Sequence, residues 1–99
     1  MLRLEISDHA DADLTEILRH GCATFGDEVG ERYFLSFDET FQLLCRYPHI
    51  GEVSRVWSGD VRTRVHRSHR LFYRVEAERL FVGRVIHVKR QIDADLFDN

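Results

Sequence analysis

The chain has 99 residues, 43% of them hydrophobic and 11% aromatic, with a single proline. That is enough for one globular domain, residues 1–99, with a real core, and the composition is not that of a disordered segment. The net charge of −3 argues against binding nucleic acid by bulk charge, and no apolar run approaches the roughly 20 residues of a membrane span.

Leu2, Leu4 and Ile6 alternate with Arg3 and Glu5, the period of a short strand. Ser7 is placed to cap a helix, with Asp8, Asp11 and Asp13 near the helix's positive end. Ala10, Leu14, Ile17, Leu18, Gly21 and Phe25 then recur at three- and four-residue spacing, an amphipathic helix. Phe25-Gly26-Asp27 breaks it, with Gly26 expected to supply a left-handed cap and Asp27 to cap the next helix. Val29, Tyr33, Phe34, Phe37, Phe41 and Leu44 mark a second helix of about 18 residues that ends by Tyr47-Pro48. Two helices joined so tightly form an αα-hairpin.

Phe25, Phe34, Phe37 and Phe41 could line an aromatic box, but at helical spacing they are expected to be core. Cys22 and Cys45 fall on or near the apolar stripes and read as reduced, packed thiols. Residues 48–60 show no period and read as a loop, with Val53, Val56 and Trp57 folding back onto the core.

The remainder is dominated by three strand signals. Arg62, Arg64 and His66 alternate with Val61, Thr63 and Val65, which predicts one wet and one buried face. After Arg67-Ser68-His69, the stretch from Arg70 to Glu76 alternates again, with Leu71, Tyr73 and Val75 on one side. Leu80 to His87 is almost continuously apolar, as a central strand covered on both faces should be. The short joints imply an antiparallel meander, followed by a tail from Val88 that could form one helical turn. The predicted fold class is α+β, in the order β-α-α-β-β-β: an N-terminal strand, a helical hairpin and a three-stranded antiparallel meander.

Charge is unevenly spread. Residues 1–50 carry a net −6 and residues 51–99 a net +3, while 55–90 alone carry +7. Thirteen of the fourteen basic residues are arginine, which favours bidentate contacts with carboxylate or phosphate. The plainer reading is a solvated strand face paired with the chain's own acids.

Specific fragments resemble one family over nearly the whole length, from Leu4 to about Ile92. They are Ala10-Asp11-Ala12-Asp13-Leu14-Thr15-Glu16-Ile17, Phe25-Gly26 with Glu31-Arg32-Tyr33, Tyr47-Pro48-His49-Ile50-Gly51, Leu71-Phe72-Tyr73-Arg74-Val75, and Arg84-Val85-Ile86-His87. In this order and spacing they resemble the ParE toxins of the RelE/ParE superfamily of bacterial toxin–antitoxin systems. The resemblance implies a small cytoplasmic toxin, neutralised as a hetero-oligomer by a cognate antitoxin whose C-terminal segment wraps around it. The ParE branch poisons DNA gyrase and is not known for enzymatic activity, whereas the RelE branch cuts mRNA on the ribosome. Antitoxin acids are expected at Arg62, Arg64, Arg74 and Arg84, with an antitoxin helix in an apolar groove near the helical hairpin. By the same analogy the toxicity element is the tail from Val88 to Asp95, with Lys89, Arg90, Gln91 and Ile92 following Val88.

A RelE-type nuclease needs a base, an acid and cations for the phosphate. His66, Arg74, Arg84 and His87 are the candidates, with Arg64 as a further phosphate cation. Yet the RelE branch usually has a tyrosine or His-Tyr pair after the last strand; here Val88 follows His87, and Phe97 is the only later aromatic. Hydrogen bonding at the sheet edge is the plainer role for both histidines. His66 and His69 lack a third ligand, so no metal is expected, and no glycine-rich loop or nucleophile pairing calls for a cofactor. A non-toxic binding module would need exposed aromatics, and Phe72 and Tyr73 lie on opposite faces of one strand, so at most one could stack on a base.

Overall fold

The computed structural model describes residues 1–56 and 59–92; Trp57 and the tail beyond Ile92, with Phe97, lie outside the described residues. The elements are β1 (Arg3–Ile6), α1 (Asp8–Phe25), α2 (Asp27–Arg46), β2 (Glu52–Val53), β3 (Arg62–His66), β4 (His69–Glu76) and β5 (Arg79–His87). They form a five-stranded sheet in the order β1-β5-β4-β3-β2, with the αα-hairpin on one face. The predicted α+β class and element order therefore hold. β5 lies between β1 and β4, parallel to the first and antiparallel to the second. No helix among the described residues is long and apolar enough to cross a membrane.

Ser7 caps α1 as expected, its Oγ accepting from Ala10 N at 3.0 Å and donating to Gly83 O at 2.8 Å. The helix start is thereby tied to β5, where β1 ends. Between the helices the expected caps are replaced. Gly26 has φ 92° and ψ 159°, an extended conformation with positive φ rather than a left-handed helical one, and it occupies the N-cap position of α2 itself. Asp27 is already helical, so with Glu28 it faces the N-terminal dipole instead of capping.

The main core lies between the hairpin and the sheet. It joins Leu14, Phe37, Phe41 and Leu44 to Leu71, Tyr73, Leu80 and Val82, with Leu4 and Ile6 packed beside them. Each fully buried side chain of this kind is worth roughly 1.5–3 kcal/mol relative to exposure. A smaller cluster of Val61, Phe72 and Ile86 lies on the opposite face, with Ile92 of the tail packed on it. Phe72 and Tyr73 are thus both buried, and neither is available for base stacking.

Four readings of the sequence need correction. Residues 48–60 are not all loop: Glu52–Val53 pair with Thr63 and Arg62, a strand too short to leave a period. Val53 and Val56 are exposed, and Val61 turns inward in their place. On β3 the burial is inverted: Val65 is 47% exposed and His66 only 7%, because α2 offers His66 polar partners. The tail leaves β5 as a turn, closed by Arg90 N donating to His87 O at 3.0 Å, and not as a helical turn.

Candidate functional site

Between α1, α2 and the far end of the sheet lies a cavity of about 530 Å³. Glu16, Ile17, His20, Phe25, Val29 and Tyr33 supply its helical wall, and Ser68, His69 and His87 its sheet wall. Gly21 and Gly30 also line it, at the closest approach of the two helices: a Cβ on Gly30 would lie 2.4 Å from Cys22 N. Phe25, expected in the core, is 65% exposed at this rim, and Val29 is 44% exposed. Helical spacing put both on the apolar stripe, but the stripe runs past the edge of the sheet.

The polar wall is built by a relay of hydrogen bonds. Ser68 N donates to Tyr33 Oη at 3.2 Å, and the Tyr33 hydroxyl lies 2.7 Å from His69 Nδ1. The hydroxyl proton has no other acceptor among the described residues, so Tyr33 donates to Nδ1, which leaves the His69 proton on Nε2. Lys89 N donates to His87 Nδ1 at 3.1 Å, so His87 too carries its proton on Nε2 in the neutral form. The two rings meet edge to face with centroids 5.2 Å apart. Burial, with smaller contributions from His87 and His66, lowers the His69 pKa to about 4. Burial likewise raises that of the Tyr33 hydroxyl. Arg67, held at φ 54° in the β3–β4 turn, places its guanidinium 6.0 Å from the Tyr33 ring centroid.

His66 belongs to a closed network. Ser36 Oγ donates to Tyr33 O at 2.5 Å and therefore accepts from His66 Nε2 at 2.8 Å. Thr40 Oγ1 then donates to His66 Nδ1 at 2.7 Å. Both ring nitrogens are satisfied under α2, and burial lowers the pKa, so His66 is a neutral structural group. No cluster of three or more His, Cys, Asp or Glu among the described residues is arranged to hold a metal ion.

The four candidate arginines do not share a surface. Arg62 and Arg64 lie opposite Tyr73 and Leu71, hence on the helix side of the sheet. Arg62 Nη1 donates to Gly51 O at 2.9 Å and so pins the loop after α2. Arg74 is on the other face, 3.0 Å from Glu76 and 5.3 Å from the Phe81 ring centroid, which Arg79 approaches at the same distance. Arg84 is 9% exposed and bidentate on Asp13 of α1, through Nε at 2.8 Å and Nη2 at 3.0 Å. Asp13 Oδ2 also accepts from Val85 N at 2.9 Å, replacing β1 along the edge of β5 where β1 has ended. Arg64 is the one of the four whose side chain makes no hydrogen bond or ion pair with another described residue. It lines a second, more polar pocket of about 250 Å³ with Glu52, Thr63 and Arg70.

The RelE-type set is equally dispersed. His66 is closed off under α2, Arg84 is committed to Asp13, Arg74 is on the opposite face, and only His87 reaches the cavity. The tail residues Val88 to Gln91 are exposed, and Ile92 is half-buried on the smaller cluster. Reasoning on the sequence missed Tyr33 and His69 as site residues. The available signal was a hydroxyl on an otherwise apolar helical stripe, because a tyrosine placed there usually carries its polar end to a partner.

Comparison with known proteins gives a consistent picture. Residues 4–92 match the family described as "ParE toxin of type II toxin-antitoxin system, parDE". Among solved structures, a chain of the "Chromosomal ParDE TA system from P. aeruginosa" is similar at a TM-score of 0.78 and 24% identity, covering 90% of this chain and 98% of that one. At that identity the likeness concerns the fold. No curated protein matches.

Proposed function

This chain belongs to the ParE toxin family of type II toxin–antitoxin systems, and from that premise we propose that it is a single-domain cytoplasmic toxin that inhibits DNA gyrase and is neutralised by its cognate antitoxin. The observation that carries the antitoxin half is the open apolar cavity beside the αα-hairpin, rimmed by exposed Phe25 and Val29. An amphipathic helix lays its apolar face into such a groove. Arg64, whose side chain has no hydrogen-bond or ion-pair partner among the described residues, is the cation best placed to meet an antitoxin acid at the β3 edge.

Inhibition without catalysis is supported by the dispersal of His66, Arg74, Arg84 and His87, the four residues a RelE-type cleavage was expected to bring together. The tail from Val88 to Ile92, exposed as far as Gln91, is the proposed toxicity element. Pulse-labelling of DNA and protein synthesis just after induction, without antitoxin, tests the target. Early DNA-damage signalling with translation intact is expected. Immediate translation arrest with cleaved mRNA would overturn the gyrase reading.

A further inference from the structure

The cavity holds more than apolar surface. His69 is a fixed Nε2–H donor, because Tyr33 donates to its Nδ1 while accepting from Ser68 N. His87 is a second Nε2–H donor, because Lys89 N donates to its Nδ1. Neither Nε2 has an acceptor among the described residues. The carboxylates that could have served are engaged elsewhere: Asp13 by Arg84, and Glu16 by Arg19 at 2.7–3.1 Å. Arg67 adds a cation against the Tyr33 ring at the same end of the site. The cavity therefore joins apolar side chains from Ile17, Phe25 and Val29, with Glu16 and His20 beside them on α1, to a sheet wall that offers the two Nε2–H donors.

We propose that this cavity is a recognition pocket for a partner segment that joins a bulky apolar side chain to a carboxylate, the apolar group filling the helical wall and the carboxylate accepting from His69 Nε2 and His87 Nε2. The complementarity is in charge and donor count: a carboxylate supplies acceptors only, and hydrogen bonds to an ionised acceptor are the stronger kind. Identifying the partner as the antitoxin rests on the function proposed above; the chemistry of the pocket does not. An Nε2–H tautomer is one half of the reading and an acceptor-bearing apolar ligand the other.

The experiment uses the full chain with 4-phenylbutyrate as probe and 4-phenylbutyramide as its neutral isostere. Side-chain ¹H–¹⁵N spectra should show both histidines as Nε2–H tautomers, with saturable shifts at His69 and His87 on adding the carboxylate. The amide should bind about fivefold more weakly, and His87→Leu should weaken the carboxylate by a similar factor, with His87→Gln restoring part of it through its own N–H. No saturable shift up to the probe's solubility, or equal affinities for acid and amide, overturns the proposal.

A parallel titration with the cognate antitoxin separates the two readings. If Val29→Glu abolishes antitoxin binding while acid and amide bind alike, the antitoxin docks here and the carboxylate chemistry is wrong. If the acid is preferred but neither Val29→Glu nor His87→Leu changes antitoxin affinity, the pocket chemistry stands and the antitoxin is not its occupant.

Discussion

Asp13 serves three donors at once, Arg84 Nε, Arg84 Nη2 and Val85 N, and its side chain is only 14% exposed. Removing it would leave a nearly buried guanidinium without its counter-ion, a loss typically of about 3–5 kcal/mol. Asp13→Ala is therefore expected to lower the urea midpoint sharply. The double variant Asp13→Leu with Arg84→Met should be less destabilised than Asp13→Ala, because no orphan charge remains; equal losses would show that the pair itself is not the cause. His69 makes a second prediction at this scale. The unfolded chain takes up its proton near pH 6.5, whereas the folded chain holds off until about 4. Between those values the unfolded state binds more protons, so stability should be full above pH 6.5 and fall as pH drops toward 4. The loss is on the order of 2 kcal/mol for a partly buried imidazole, and His66 contributes in the same direction. Urea unfolding from pH 7 to 4 measures it, and His69→Gln should flatten the slope.

Among elements, the helical hairpin depends on glycine at its contact. Gly21 and Gly30 let α1 and α2 approach until a Cβ on Gly30 would overlap backbone atoms of Gly21 and Cys22. Backbone cannot yield as a flexible side chain can, so Gly30→Ala must push the helices apart at the cavity's edge. Overpacking of this kind costs about 1–3 kcal/mol, more than the helix propensity gained from alanine. Thermal unfolding should show Gly30→Ala less stable than the parent; an unchanged or raised midpoint would mean the helices have slack there. The effect should extend to the proposed pocket, since both glycines line it. In the sheet, Arg67 and Ala77 both adopt φ 54° in their hairpin turns. Arg67 holds its strained place where its guanidinium meets Tyr33, which ties the β3–β4 turn to α2.

Over the whole molecule, the +7 charge of residues 55–90 does not form one basic face. The alternation of β3 and β4 sends Arg62 and Arg64 to the helix side and Arg74 to the other, while Arg84 is withdrawn into the ion pair with Asp13. Charge reversal should therefore have separate consequences. Arg64→Glu is expected to weaken antitoxin binding with the fold intact, and Arg84→Glu to unfold the chain by setting two carboxylates together. Calorimetric titration and circular dichroism distinguish these outcomes. If Arg64→Glu leaves antitoxin affinity unchanged, the β3 edge is not the contact. Ile92, the last described residue, packs on the Val61, Phe72 and Ile86 cluster, on the face opposite the helices.

The sequence by itself determined the class, the element order and the family resemblance. These rest on local periodicity: strands alternate by two, helices recur at three and four, and Ser7 caps where its hydroxyl is needed. Cavity, network and arginine placement were decided only in three dimensions. Whether Phe25 is core or rim depends on where the sheet ends, which the helical stripe cannot register. His66 and His69 are three residues apart, yet one is closed under Ser36 and Thr40 while the other faces the cavity through Tyr33. Their roles follow from contacts across 26–36 residues of sequence, and no pattern within either strand encodes such partners.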